Sequence, residues 1–443
     1  MATRRWTGNA LAIAERETIT IGGTWVANDT ITVTCNGRDL VLTIGTTVTT
    51  TQIATELAAA LGSTSSSLGT GYSANERGPN IAEFREFVAG DTAPAASGST
   101  VILYGKTKGK PFTVTVAKSS TSGTVSIATT ISATGPNHFD NADNWSGATV
   151  PVDSDDIVFD SGNVSCLYGL SQGTVTPASI TITQGFTGKI GLASINTDDT
   201  AYPYTEYRER FLILCASGDS LNTAVTIGGG DGLGSSRINL DCNTGQATIT
   251  VLASGSSEVS GVPSVLLKGT NASNVLSVSR GSVGVAFLAG ESATVATLNV
   301  GYRTNQSSDA AVICGSGATL TTINQSGGTL TTASAVTTMN LSGGEWSHLA
   351  GAVTTANIDG GACRYRTTAT LTTAIVGGAG ELDFRQDPRS RTVTNCDIFE
   401  GAILRDPVGT VTFTNGIDLN RCDLQTVTLQ IPQHKRLTLG TIS

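Results

Sequence analysis

Residues Ala335 to Gly361 read AVTTMNLSGGEWSHLAGAVTTANIDGG, in which Ala-Val-Thr-Thr occurs twice and each copy reaches a Gly-Gly pair at the same distance. Neither copy carries an obvious catalytic group, so the repetition is an architectural signal. Further copies lie on both sides. In register, Val295, Leu320, Val336, Val353 and Leu371 begin them, and Leu298, Ile323, Met339, Ala356 and Ala374 stand three residues on. Five residues on come Val300, Gln325, Leu341, Ile358 and Val376, apolar in all but one. Between these positions sit Asn299, Asn324, Asn340 and Asn357, with Ile375 as the exception. The Gly-Gly pairs start at residues 327, 343, 360 and 377, in steps of 16, 17 and 17 residues. A unit this short has no room for a helical hairpin but fits one coil of a β-helix.

On a strand, offsets three and five point one way and offset four the other. The apolar pair should therefore stack inside, with the Asn row outside or at a bend. Equivalent residues on successive coils would lie about 4.8 Å apart, close enough for the side-chain amides to bond to one another in a ladder. Glycine pairs turn the corner, where a positive φ is cheap only without a Cβ. Ser179–Gly185, Ala247–Gly255, Asn274–Gly290 and Gly409–Ile431 supply further strand-like pieces. At about 18 residues per coil, residues 163–443 would make roughly 15 coils and a stack on the order of 70 Å long.

The composition agrees. Charged residues are 14% of the 443, against roughly 25% in ordinary globular chains, and Ser, Thr and Gly fill the difference. A net charge of -9 with no basic stripe argues against nucleic acid as a partner. No stretch approaches the ~18 apolar residues of a membrane span, so no membrane insertion is expected. Arg4 and Arg5 precede an apolar run, Ala10 to Ala14, that stops at Glu15, too short for a signal peptide. These features predict a protein made in the cytosol. Eight cysteines, never nearer than 26 positions, form no C-x-x-C pair and read as small buried apolar residues.

Ahead of the repeats, residues 17–134 read as an α+β unit, preceded by an arm at 1–16. Thr18–Ile21, Asp29–Thr34 and Leu40–Ile44 alternate apolar with Thr, and Cys35–Asp39 holds an Asn-Gly hairpin turn. Thr49–Gly62 places Ile53, Leu57 and Leu61 on one helical face and ends at a glycine. Ile81–Gly90 suggests a second helix, and Ser99–Lys118 returns to strands. This order resembles small β-rich modules of phage virion proteins and flagellin-type insertions.

Residues 135–162 mark a linker and a cap at the start of the stack. Gly135-Pro136 breaks the preceding structure. Asn144-Trp145-Ser146-Gly147, Val150-Pro151 and Asp155-Asp156-Ile157-Val158-Phe159 then resemble the opening segment of bacterial and phage parallel β-helices. A Trp there can shield the first apolar rung from water. The fold class predicted is mainly β: a small N-terminal α+β module, then a right-handed single-stranded parallel β-helix over 163–443 with a less regular C-terminal end.

Several fragments imitate catalytic or metal motifs. Gly218–Leu221 spells GDSL, but none of His138, His348 and His434 has the aspartate three residues before it that such a hydrolase needs. Gly105–Thr107 lacks the first glycine of a phosphate loop and sits between strands. Gly228–Gly234 is one copy of a glycine-aspartate calcium repeat whose mechanism needs several. Asp153, Asp155, Asp156 and Asp160 form the densest acidic cluster, a calcium candidate weighed against a solvated loop. Glu345–His348 reads as an exposed acid-histidine pair on the surface. The Asn-x-Ser sites at Asn144, Asn271, Asn305, Asn324 and Asn340 are expected by chance in so Ser-rich a chain. Glu381, Asp383, Asp387, Asp397, Glu400 and Asp406, with Arg385, Arg389 and Arg391, are candidates for the paired carboxylates of a glycan-cleaving β-helix. Salt-bridged surface charge is the competing reading. No catalytic residue, metal or cofactor is assigned.

Taken with the repeats, these features resemble a bacteriophage virion structural protein of the tail-fibre, spike or capsid-decoration type. The resemblance implies a non-enzymatic component of the virion, assembled in the host cytoplasm. Its N-terminal module would dock to other virion proteins of capsid or tail. A host surface glycan is a candidate partner, and association as a homo-oligomer, typically a trimer, is implied. A polysaccharide-degrading tail spike and a secreted bacterial β-helix adhesin are the alternatives.

Overall fold

The computed structural model describes residues 2–63, 67–88, 95–215, 222–228, 236–255, 261–301, 310–420, 427–432 and 437–439. Two long parallel sheets, of 15 and 11 strands, dominate it. The chain visits them alternately: Val336–Leu341 in the first, Glu345–His348 in the second, Val353–Ile358 in the first again, Ala362–Tyr365 in the second. Each strand pairs in parallel with its equivalent one circuit later, Val336↔Val353 and Trp346↔Cys363 among them. The result is a mainly β, solenoid-like stack enclosing one continuous apolar core from Trp6 to Leu419.

Val336–Leu341, Val353–Ile358 and Leu371–Val376 share one burial pattern, with offsets zero, three and five buried and the residues between turned outward. The outward asparagines form the ladder that their spacing predicts. Asn357 donates to Asn340 at 2.7 Å, Asn340 to Asn324 at 2.8 Å, and Asn324 to Asn299 at 2.9 Å. Asn299 ends the run on the Ser277 hydroxyl at 3.0 Å. At the corners, Gly344 and Gly361 have φ of 85° and 73°. A Cβ on either would stand about 2.4–2.5 Å from the carbonyl oxygen of the coil below, so the glycines permit the close stacking as well as the turn.

The capped end differs from the sequence reading. The arm expected at 1–16 contributes the first strand of the long sheet: Thr3–Arg5 pairs in parallel with Asp156–Val158. The Trp cap is likewise a cluster. Trp145 meets Trp6 edge-on at 5.1 Å and Phe139 at 4.8 Å, and Phe159 stacks beyond them against Phe186 at 5.2 Å. Both indole N–H groups donate to backbone carbonyls, of Val164 and Phe139. The Trp145 segment runs along the free edge of the first strand, Ser146 donating to the Arg5 carbonyl at 2.9 Å and Thr7 to that of Asn144 at 2.7 Å, so Trp145 covers the first apolar rung together with Trp6 and Phe139.

The α+β module is consequently an insertion between the first and second strands of the stack. The chain leaves and returns side by side, Ile13 bridging Thr134. Two four-stranded antiparallel sheets, one built on Arg16–Gly23 and the other on Thr30–Cys35, enclose a second core with helix Thr50–Gly62. Asn36 and Gly37 take φ of 50° and 71°, the two positive values a two-residue hairpin requires. Ile53, Leu57 and Leu61 are buried, and Thr49 caps the helix by accepting the Gln52 amide. The helix expected over 81–90 is a single turn, Arg85–Val88, because Ile81 and Phe84 enter the core from the turn before it.

Candidate functional site

Residues 192–210 leave the stack and fold over its flank before the second sheet begins at Leu212–Ile213. Ile195–Asn196 and Tyr204–Thr205 pair as an antiparallel hairpin. Its tip is held by Asx turns: Asn196 accepts the Asp198 amide and Asp199 the Ala201 amide, both at 3.1 Å. The tip reaches the inserted module and grips it through charged and phenolic groups.

Glu86, on the single helical turn of the module, is the hub. Its carboxylate accepts from Tyr204 and Lys110, from Arg208 at 3.0 Å, and from Tyr207 at 2.7 Å. Arg208 also binds Glu206 at 2.7 Å and the Pro111 carbonyl at 2.9 Å. Lys110 bridges to Asp198 at 2.6 Å, and Arg85 to Asp199 at 2.7 Å with its guanidinium over the Tyr202 ring. Burial, reinforced by the Glu86 charge, pushes the Tyr204 and Tyr207 phenols up, so both remain O–H donors. Burial opposes charge on Arg208, but Glu206 and Glu86 outweigh it and hold the guanidinium protonated. With every charge matched at close range, this arrangement is a mechanical joint fixing the module to the flank. Removing one partner of such a buried pair leaves the other charge uncompensated, at a cost of about 3–5 kcal/mol.

The sequence had placed its candidates elsewhere; the structure brings Glu381 and Asp383 together on shared guanidinium groups and sets Asp397 on the other sheet. Glu381 and Asp383 face outward on the second sheet, while Asp397 lies on the first. Arg364 takes both Glu381 and Asp383, at 2.9 and 2.6 Å; Arg385 adds to Asp383 and Arg405 to Glu381. Burial works against the charge on Asp383, yet these guanidinium contacts keep its carboxyl below the usual range. Asp387 is held down to about 2, chiefly by Arg389. Arg391 is fully buried and donates to the carbonyls of Tyr365, Asp387 and Arg389. Asp406 accepts the amides of Gly409, Thr410 and Val411, and Asp397 accepts from Asn420. Glu400 is exposed at a turn.

The acidic cluster at 153–160 is likewise divided. Asp155 pairs with Arg4 at 2.9 Å, Asp160 with Arg5, Asp153 accepts the Thr176 amide and Asp156 the Ser179 hydroxyl. Asp155 and Asp160 thus pin the first strand to the stack, while Asp153 and Asp156 tie to the coil that follows. Among the described residues, no three His, Cys, Asp or Glu side chains converge as a metal site. Gly218–Leu221 and Gly229–Gly234 fall outside the described residues, as do Asn305 and His434.

The Glu345–His348 reading is corrected. Glu345 is exposed, but Trp346 and His348 are wholly buried within the stack. His348 Nε2 meets the Gly351 carbonyl at 2.8 Å, so it carries the proton, and Nδ1 accepts from the Thr332 hydroxyl at 2.7 Å. Thr332 in turn accepts from the Trp346 indole at 2.9 Å. Burial lowers the His348 pKa to about 4, so the ring is neutral at pH 7.

The joint was missed although Tyr202–Arg210, YPYTEYRER, concentrates three tyrosines and two arginines in a chain only 5% aromatic and 14% charged. That local excess was the available signal. Comparison with protein-family models, curated proteins and solved structures gives no match to this chain.

Proposed function

We propose that this chain is a non-enzymatic structural component of a phage-like virion: an exposed fibre, spike or capsid-decoration protein. In this reading the stack is a right-handed, single-stranded parallel β-helix, the hand that crossover connections between parallel strands adopt in nearly all cases. The inserted module docks to capsid or tail proteins at the capped end, and the stack projects from the particle assembled in the host cytoplasm. Self-association, a trimer in the first instance, would cover flanks of neighbouring rods.

The observation that carries the reading is the joint around Glu86. A module clamped to a long stack by matched buried charges transmits force and orientation. Commitment of Glu381, Asp383 and Asp387 to arginines supports a structural role for that face. Antibodies against the full chain, applied to phage particles induced from the culture that carries its gene, test the proposal. Decoration of particles is expected; labelling confined to the cell envelope would overturn it. Release of reducing ends from host polysaccharide would overturn the non-enzymatic part.

A further inference from the structure

Leu214 and Cys215 are consecutive and both wholly buried, an arrangement that the alternation of a straight strand does not give. The corner after strand Leu212–Ile213 accounts for it. Cys215 takes a φ of 68°, a left-handed conformation that disfavours a side chain and persists only where the surroundings impose it. The turn sets its Cβ against the next coil, where a Cβ added to Gly245 would stand 2.5 Å from it. In that coil, strand Ile238–Asp241 pairs in parallel with Leu212–Ile213, and Cys242 is the residue that follows. The Leu214 amide donates to the Asp241 carbonyl at 2.9 Å, and the Gly245 amide to that of Cys242 at 3.2 Å.

The two side chains meet inside the stack. The Cys242 thiol is hydrogen bonded to that of Cys215, which itself donates to the Thr223 hydroxyl at 3.4 Å. Both cysteines belong to the continuous apolar core. Residues on neighbouring coils stand about 4.8 Å apart, inside the Cα separation of about 4.4–6.8 Å that a disulfide bridges. Cys314, Cys363 and Cys396, by contrast, have Thr332, Leu382 and Ala374 as register partners. They supply internal controls in the same core.

We propose that Cys215 and Cys242 are an oxidation site, joined as a disulfide when the protein meets a peroxide. One sulfur attacks a peroxide oxygen; the O–O bond breaks, the departing hydroxide takes the thiol proton as water, and a sulfenic acid remains. The second sulfur attacks the sulfenic sulfur. The S–S bond forms, the S–O bond breaks, and hydroxide leaves with the second thiol proton as another water. Two thiols and one hydrogen peroxide thus give one disulfide and two waters. The contact with Cys215 and burial both push the Cys242 thiol up, so little thiolate is present and the reaction is slow. The bond ties the strand leaving the Glu86 joint to the next coil. This deepens the reading of a virion protein and rests on it only for the occasion of oxidation, release from a reducing cytoplasm.

In the experiment, the full chain is purified reduced and incubated with hydrogen peroxide. Remaining thiols are then alkylated in denaturant, and the digest is mapped by mass spectrometry. A cross-linked peptide joining Cys215 to Cys242, lighter by two hydrogens than its two parts, is expected. The melting temperature of the stack should rise and return on treatment with dithiothreitol. Cys242→Ser and Cys215→Ser should each abolish both changes, and the mapping of the unsubstituted chain stands even where a variant fails to fold. No cross-link in the folded chain, linkage of either residue to another cysteine, or a bond formed only in denaturant would overturn the proposal. A cross-link that leaves the melting temperature unchanged would overturn the locking of the coils. Purified protein tests the bond and particle labelling tests the location, so the two can fail separately.

Discussion

The coils between Ala318 and Val376 and those between Asp156 and Glu291 are built on the same two sheets but solve different problems. In the former, successive circuits are nearly equal in length and like residues sit on like: Asn on Asn, Thr338 on Thr355, Ala356 on Ala374. In the latter, the first sheet passes from Ile182 directly to Thr223 while the intervening chain makes the hairpin, the joint and two adjoining cavities. Repetition maintains the rod, and departures from it create places where something else can be held. Loops carried on a rigid scaffold commonly have that role.

The largest test of this contrast is removal of an interior ring from the regular coils. Trp346 is fully buried, 5.2 Å from His348, which stacks on Tyr365 at the same distance; Phe384 follows at 5.8 Å. Trp346→Ala should cost about 3–5 kcal/mol, as deletions of buried aromatic side chains do, and should also strip the Thr332 hydroxyl of a donor. Chemical denaturation should show the loss in the stack transition. An equal loss in a transition assigned to the module would break the contrast, since the module has its own core.

Next in size is an opposed response to pH. His348 has its folded pKa depressed to about 4 from 6.5, so below pH 6.5 the unfolded chain takes up a proton that the folded chain refuses. Stability of the stack should decline as pH falls from 6.5 to 4, by up to about 3 kcal/mol. Glu15, at the neck of the module, is raised to about 7 by burial and by the nearby Glu17 and Glu86, against the pull of the Phe112 amide. Here the folded state holds the proton more tightly, and its contribution is lost as pH rises from 4.5 through 7. Denaturant midpoints across pH 4–8 should show both slopes, with His348→Phe flattening the acidic one and Glu15→Gln the other. A single slope shared by both variants would count against assigning them to separate regions.

This contrast also explains which parts were legible in sequence. The ladder, the inward rows and the glycine corners could be read because a 17-residue period repeats the same local chemistry, and each coil is its neighbour's template. The strand Thr3–Arg5 could not, because its partner lies some 150 residues away and three residues carry no period. Asn239, which donates to the Leu192 and Arg210 carbonyls, was hidden for a related reason: alternation places it on the outside, and only the overlying hairpin buries it. His348 was readable and misread. Glu345–His348 alternates exposed and buried, so the period of two already put Trp346 and His348 on one face. Strand Gly123–Ile131 pairs along the whole of Arg16–Gly23 yet is largely exposed, and so lacks the one-sided pattern that marks the other strands of the module.

The smallest effect bears on why the ladder stops. Ile375 follows Asn357 in register and is followed by Asp397. In the row as it stands, each amide donates toward the preceding coil, leaving Asn357 Oδ1 as the acceptor at the end. Asn420 donates to Asp397 beyond the gap at 3.1 Å. Ile375→Asn alone would satisfy Asn357 but set its own Oδ1 against the Asp397 carboxylate, so it should gain nothing and lose some apolar burial. With Asp397→Asn added, the row could donate in one direction from Asn420 through to Asn299. A double-mutant cycle in denaturant midpoints should then show favourable coupling of about 0.5–1.5 kcal/mol, the net value of one such bond. Asn340→Ala, which removes two bonds from the middle of the existing row, should cost about 1 kcal/mol. If the double variant shows no coupling while Asn340→Ala is costly, the ladder depends on local strand geometry as well as amide pairing, and the gap at Ile375 marks where that geometry changes toward the less repetitive coils beyond.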